Sequence, residues 1–152
     1  MPQIPKEILQ LATAFTGSAG FAVLFHTRRQ HILPAALGGL FSWGVYLFFE
    51  HRGLHYFAAC LIAAAFAASW SELMARLAKT PATVFFISAI IPLIPGSALY
   101  NTMSSLVAGR MERAWEYGVR TALYMTAIAT GVSLVNALIV MYQSRGRLFG
   151  RE

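Results

Sequence analysis

Five stretches without a charged residue, each 18 residues or longer, set what this chain can fold into. They run from Ile8 to Phe25, Ile32 to Phe49, Leu54 to Ser71, Thr80 to Gly109 and Thr121 to Ser144. A helix needs about 20 residues, with a range of roughly 17–25, to cross a hydrocarbon core about 30 Å thick. Each stretch is therefore long enough to cross a bilayer, with spans placed near 8–25, 32–49, 54–71, 81–108 and 119–142. Membrane strands need only about 9–11 residues in alternating pattern, and these runs are longer and do not alternate. The sequence predicts an all-α integral membrane bundle of five transmembrane helices, forming one domain over residues 1–152.

Composition excludes the competing classes. The chain is 57% hydrophobic and 12% charged, against about 45–50% and about 25% in soluble domains. Disorder needs the opposite balance. The twelve Lys and Arg residues punctuate the apolar runs and do not gather on one face, which is the pattern of membrane loops and gives no footprint for nucleic acid. The first run is preceded only by Lys6 and Glu7 and followed by no clear cleavage site, so it reads as a retained span and not a signal peptide. With five spans the termini lie on opposite sides. Arg28, Arg29, Arg76, Lys79, Arg145, Arg147 and Arg151 share one side, and Lys6, Arg52, Arg110, Arg113 and a snorkelling Arg120 the other. The excess predicts N-terminus outside and C-terminus cytoplasmic.

Small residues at helical spacing predict where helices touch: Ala59, Ala63, Ala67 and Ser71 in the third span, Ala127 and Gly131 in the fifth, Thr13 and Gly17 in the first. Cys60 reads as a small buried hydrophobe. Trp43, Trp70, Trp115, Tyr46, Tyr56, Tyr117 and Tyr142 fall mostly near span ends and read as interfacial anchors.

The fourth run departs from this pattern. As a straight helix, its 30 residues would reach about 45 Å. Its centre reads Ile91-Pro92-Leu93-Ile94-Pro95-Gly96-Ser97. Each proline removes a backbone donor and obstructs the preceding turn, and Gly96 is free to take angles that other residues avoid. A break is expected there. Irregular backbone at membrane depth needs cover from protein or a water-filled cavity, and broken helices in transporters point half-helix N-termini at anionic groups. A half-helix starting at Ser97, as cap or first-turn residue, would offer free amides, with Ser97, Tyr100, Asn101 and Thr102 adding side-chain hydrogen bonds. The alternative is a kink that only shapes packing. Arg120, just inside the fifth span, either meets a substrate carboxylate or Glu116, or snorkels to the interface. Asn136, deep in the same span, needs a hydrogen-bond partner.

Enzyme chemistry is not indicated. Glu50, His51 and His55 approach metal-ligand spacing, but Gly53 interrupts them and no HExxH pattern follows. There is no aspartate and no phosphate-binding loop, and no cofactor is implied.

Lys79-Thr80-Pro81-Ala82-Thr83-Val84-Phe85, followed by Ile90-Ile91-Pro92-Leu93-Ile94-Pro95-Gly96-Ser97-Ala98-Leu99-Tyr100, resembles the signature of the threonine/serine exporter family. Its closest likeness is to the family's short C-terminal-type module. Gly20 to Phe25 and Leu37-Gly38-Gly39 are similar to the family's early motifs. Full-length members join two five-span halves, so the resemblance implies one half working with a larger membrane subunit of the same family. It further implies export of threonine and serine, or of succinate, across a bacterial inner membrane. By position it carries over Pro92, Pro95 and Gly96. Residues expected along the substrate path are these three with Ser97, Tyr100, Asn101, Thr102, Arg120 and Asn136. Two other functions fit the same chain: a structural membrane subunit without substrate contact, and a homo-oligomeric channel.

Overall fold

The computed structural model describes residues 6–149. All its regular elements are helical: α1 (Lys6–Leu24), α2 (Arg29–His51), α3 (Tyr56–Ala78), α4 (Thr83–Ile90), a 3-10 turn (Ile91–Leu93), α5 (Gly96–Val107) and α6 (Met111–Phe149). Helices α1, α2, α3 and α6 are long and apolar enough to cross a membrane. Helix α4 with its 3-10 turn, and α5, taken together as one broken span, make the fifth, bent by 57°. The all-α five-span bundle expected from the charge pattern is therefore observed, with its break where two prolines stand.

The break follows from local chemistry. Neither Pro92 nor Pro95 has an N–H to donate. The α4 ladder tightens into a 3-10 turn over Ile91–Leu93, Ile94 becomes extended (ψ 124°), and Pro95 occupies the cap position of α5. Gly96 contributes differently from expectation. The positive φ angles of the described residues fall at His26, Gly53, Lys79 and Gly109, whereas Gly96 is the first residue of α5 and a β-carbon there would meet nothing within 4 Å. The prolines alone account for the break.

Small residues bring the helices together. Ala59, Ala63, Ala67 and Ser71 of α3 are all buried, and Ala127 of α6 joins the core formed by Tyr46, Leu47, Ala59, Cys60, Ala63, Ala64 and Leu93. A β-carbon on Gly131 would collide with the Leu61 carbonyl oxygen and come within 3.2 Å of Ala64 Cβ and the Ala65 nitrogen. In α1 the expected Thr13 and Gly17 pair does not pack. Its buried residues are Ala14, Ser18 and Ala22, one position round the helix, and Gly17 has open space beside it. Ser18 and Gly39 meet so closely that a side chain on Gly39 would overlap the Ser18 hydroxyl. Ser42 of α2 donates to the Ala89 carbonyl of α4 at 2.7 Å.

Helix α3 runs parallel to α6. Tyr56 meets Tyr124 (ring centroids 5.1 Å apart), Leu61–Ala65 meet Gly131, and Ser69–Leu73 face Val135–Tyr142. At 39 residues, α6 is about 58 Å long, well beyond the hydrocarbon thickness. Its leading turns, with Glu112, Arg113 and Glu116, extend past the start of α3, and there α5 folds back along them.

Replacing Gly131 with alanine is expected to destabilise the bundle by roughly 1–3 kcal/mol, because backbone must shift to admit the methyl group. Gly96→Ala should fall within about 0.5 kcal/mol of wild type. Thermal unfolding of the purified protein in detergent compares the two.

Candidate functional site

The break opens a cavity of about 210 Å³ near the end of the bundle that carries the α2–α3 connection. Its level is fixed by Tyr46, five residues before the end of α2, and by Cys60, four residues after the start of α3. The volume lies below the roughly 300–1,000 Å³ of pockets for drug-sized ligands, so it suits a small solute.

Five of the residues expected from the sequence line this cavity: Pro92, Pro95, Ser97, Asn101 and Arg120. Four do not. Gly96 has its N–H turned back to the Ile94 carbonyl (2.8 Å). Tyr100 lies round the helix from Ser97 and Asn101 and is 72% exposed. Thr102 gives its hydroxyl to the Ala98 carbonyl (2.8 Å) and faces Gly118 of α6. Asn136 is exposed on α6, beyond the level of Gly131 and far along the helix from Arg120, so it is no part of this cavity.

The remaining walls are aromatic. Trp43 and Tyr46 of α2 stack at 5.0 Å, and Tyr117 and Tyr124 of α6 face them. The Tyr46 hydroxyl donates to Glu50 Oε1 at 3.2 Å and stands 3.0 Å from the Tyr124 hydroxyl, which can then donate to it. Trp43, Tyr46 and Tyr117, expected as interfacial anchors, thus line the cavity, while Trp115 and Tyr142 are each 76% exposed. Spacing held the missing signal. Trp43 and Tyr46 are three apart, and Tyr117, Arg120 and Tyr124 follow at intervals of three and four, so each set shares one helical face. Cys60 is buried, as expected, and also forms part of the wall.

The electrostatics favour an anion. The Arg120 guanidinium lies 5.5 Å from the Tyr56 ring centroid and 5.9 Å from that of Tyr124, where aromatic faces stabilise a cation. Ion pairs among the described residues join Glu7 to His51 and Glu72 to Arg76. Arg120 therefore has no carboxylate partner there, and of the alternatives open to it from the sequence the pairing with Glu116 does not form. The first turn of α5 presents Ser97 and Ala98 to the same cavity, and amides in a first helical turn have no partner within their own helix. A cation and a helix N-terminus thus converge on one space. The Trp43 indole nitrogen is buried without a hydrogen-bond partner, leaving a donor in the same wall.

A polytopic helical bundle whose one discontinuous helix opens onto a solute-sized, anion-favouring cavity has the architecture of a membrane transporter. The family model described as Threonine/Serine exporter, ThrE, matches residues 10–138, and the chain belongs to that family. It is a multi-pass membrane protein of an exporter family. No curated protein and no solved structure matches the chain.

With Cys60 replaced by alanine, Ser97→Cys should react with a small water-soluble methanethiosulfonate and be protected by a bound solute. Ala63→Cys, at a site 0% exposed and outside the cavity lining, should react at least tenfold more slowly; equal rates would contradict the cavity geometry.

Proposed function

We propose that this chain is the small subunit of a secondary exporter for small hydrophilic carboxylates, threonine and serine or succinate-like dicarboxylates, working with a larger membrane subunit of the same family. The observation that carries this reading is Arg120, a cation without a carboxylate partner among the described residues, which shares one cavity with the first turn of α5. A solute carboxylate would bind between them. Hydroxyl or amide contacts would come from Ser97 and Asn101, and the ammonium of an amino acid would rest on the faces of Trp43 and Tyr46. No nucleotide-binding motif is present in the sequence, so an ion gradient would drive transport. The membrane would be a bacterial inner membrane, with the N-terminus outside and the C-terminus cytoplasmic.

Helix α6 supports the need for a membrane partner. Thr126, Thr130, Ser133 and Asn136 are all exposed along it. The two threonines satisfy their hydroxyls on their own helix, Thr126 on Ala122 O and Thr130 on Thr126 O, both at 2.7–2.8 Å. A carboxamide such as Asn136 at membrane depth finds its hydrogen bonds on a neighbouring helix. The larger subunit would supply it.

Proteoliposomes with and without the larger subunit test the reading, with efflux of threonine, serine and succinate as the readout. The complete assembly should export at least one of them. Arg120→Gln should lower the initial rate at subsaturating solute roughly 10- to 100-fold, the loss of a charge-assisted hydrogen bond, with Arg120→Lys recovering part of it. Wild-type rates from Arg120→Gln in an intact assembly would instead make this a structural subunit, and flux without the larger subunit would make it a homo-oligomeric channel.

A further inference from the structure

A second cavity, of about 540 Å³, lies at the other end of α4, between the α1–α2 and α3–α4 connections. Among the described residues its lining includes Arg28, Lys79, His26 and His31 and no acidic residue. Thr80, also in the lining, has its hydroxyl oxygen buried without a hydrogen-bond partner. His26 (φ 55°) and Lys79 (φ 52°) are the two non-glycine residues with positive φ among the described residues, and both border this space. That conformation is disfavoured for residues with a β-carbon, and here it occurs on both sides of one cavity. His31 is fixed in the wall, 7% exposed and edge-on to the Phe85 ring at 5.5 Å.

We infer that this cavity is a second binding site for a small carboxylate, a vestibule on the side of the bundle opposite the break. Two exposed cations, the His26 imidazole, the Nδ1 of His31 (whose Nε2 meets Gln30 Nε2 at 3.2 Å) and an unpaired hydroxyl in the wall suit an oxyanion, which accepts hydrogen bonds from such donors. The interior between the two cavities is closed but polar. Ser18, Ser42 and Ser88 are buried there, Ser88 borders the vestibule, and the bond from Ser42 to the Ala89 carbonyl closes α2 onto α4. Helix α2 borders both spaces, through His31 at one end and Trp43 and Tyr46 toward the other. The identity of the ligand as the exported solute rests on the exporter reading. The presence of an oxyanion site at Arg28 and Lys79 does not.

The test uses the full chain with nitrogen-15-labelled histidine in phosphatidylcholine nanodiscs, titrated with succinate and followed by NMR. Saturable shifts at His26 and His31 are expected. They should weaken at least tenfold in Arg28→Gln and Lys79→Gln. Thr80→Val, which keeps the shape of a side chain whose hydroxyl has no partner in the fold, should weaken them about threefold without altering the spectrum of the free protein. Arg120→Gln should leave them unchanged while lowering efflux, so failure of the vestibule and failure of the exporter reading give different results. Absence of shifts overturns the inference. Shifts produced by phosphatidylglycerol in the disc and not by succinate also overturn it, because the oxyanion is then a lipid phosphate.

Discussion

The two missing amide donors at Pro92 and Pro95 are the constraint on which the rest of the molecule depends. In hydrocarbon every unpaired backbone group costs free energy that water cannot return, so a broken helix survives only under cover. Helices α1, α2 and α3 pack on the 3-10 turn itself, and side chains of α2 and α6 close over the cavity beside it. Trp43 and Tyr46 reach the break from α2, and Tyr117, Arg120 and Tyr124 reach it from α6. The cavity is therefore bounded by the side chains that shelter the break.

Close helix approach makes this cover possible. Gly131 lets α6 lie against the backbone of Leu61–Ala65, and alanines line the facing side of α3. Two turns earlier along α6, that contact brings Tyr124 to Tyr56 and to the hydroxyl of Tyr46. Arg120 then stands one turn before Tyr124, over the start of α5. Packing in one part of the bundle so places charge in another, and it does so with small side chains, since apolar area supplies little force between helices in lipid.

The crossings were legible in the sequence because charge is expensive in hydrocarbon, so Arg28-Arg29, Glu50-His51-Arg52 and Glu72 to Lys79 mark the ends of α1, α2 and α3 within a few residues. The break was legible for an equally local reason, proline having no N–H wherever it stands. Facing was harder to read. Trp43 and Tyr46 lie near a span end, where an aromatic residue can anchor at the interface or turn inward, and only the partner helix decides between them. Asn136 shows the converse. A polar residue deep in a span suggests an interior position, yet its place on α6 turns it outward. Gly96 lies between two constraints and needs neither, since Pro95 already caps α5. The vestibule around Arg28 and Lys79 joins residues about fifty positions apart, and no short-range pattern announces that pairing.

The central claim is that a solute carboxylate binds at the break, between Arg120 and the first turn of α5. A structure of the intact exporter assembly determined with threonine or succinate bound measures this directly. The account predicts density for the solute in the cavity bordered by Pro95, Ser97 and Asn101, with a carboxylate within hydrogen-bonding distance of Arg120 and of the Ser97 or Ala98 amide. A transport-competent assembly that holds its solute entirely on the partner subunit, with the break of this chain closed and dry, would contradict it.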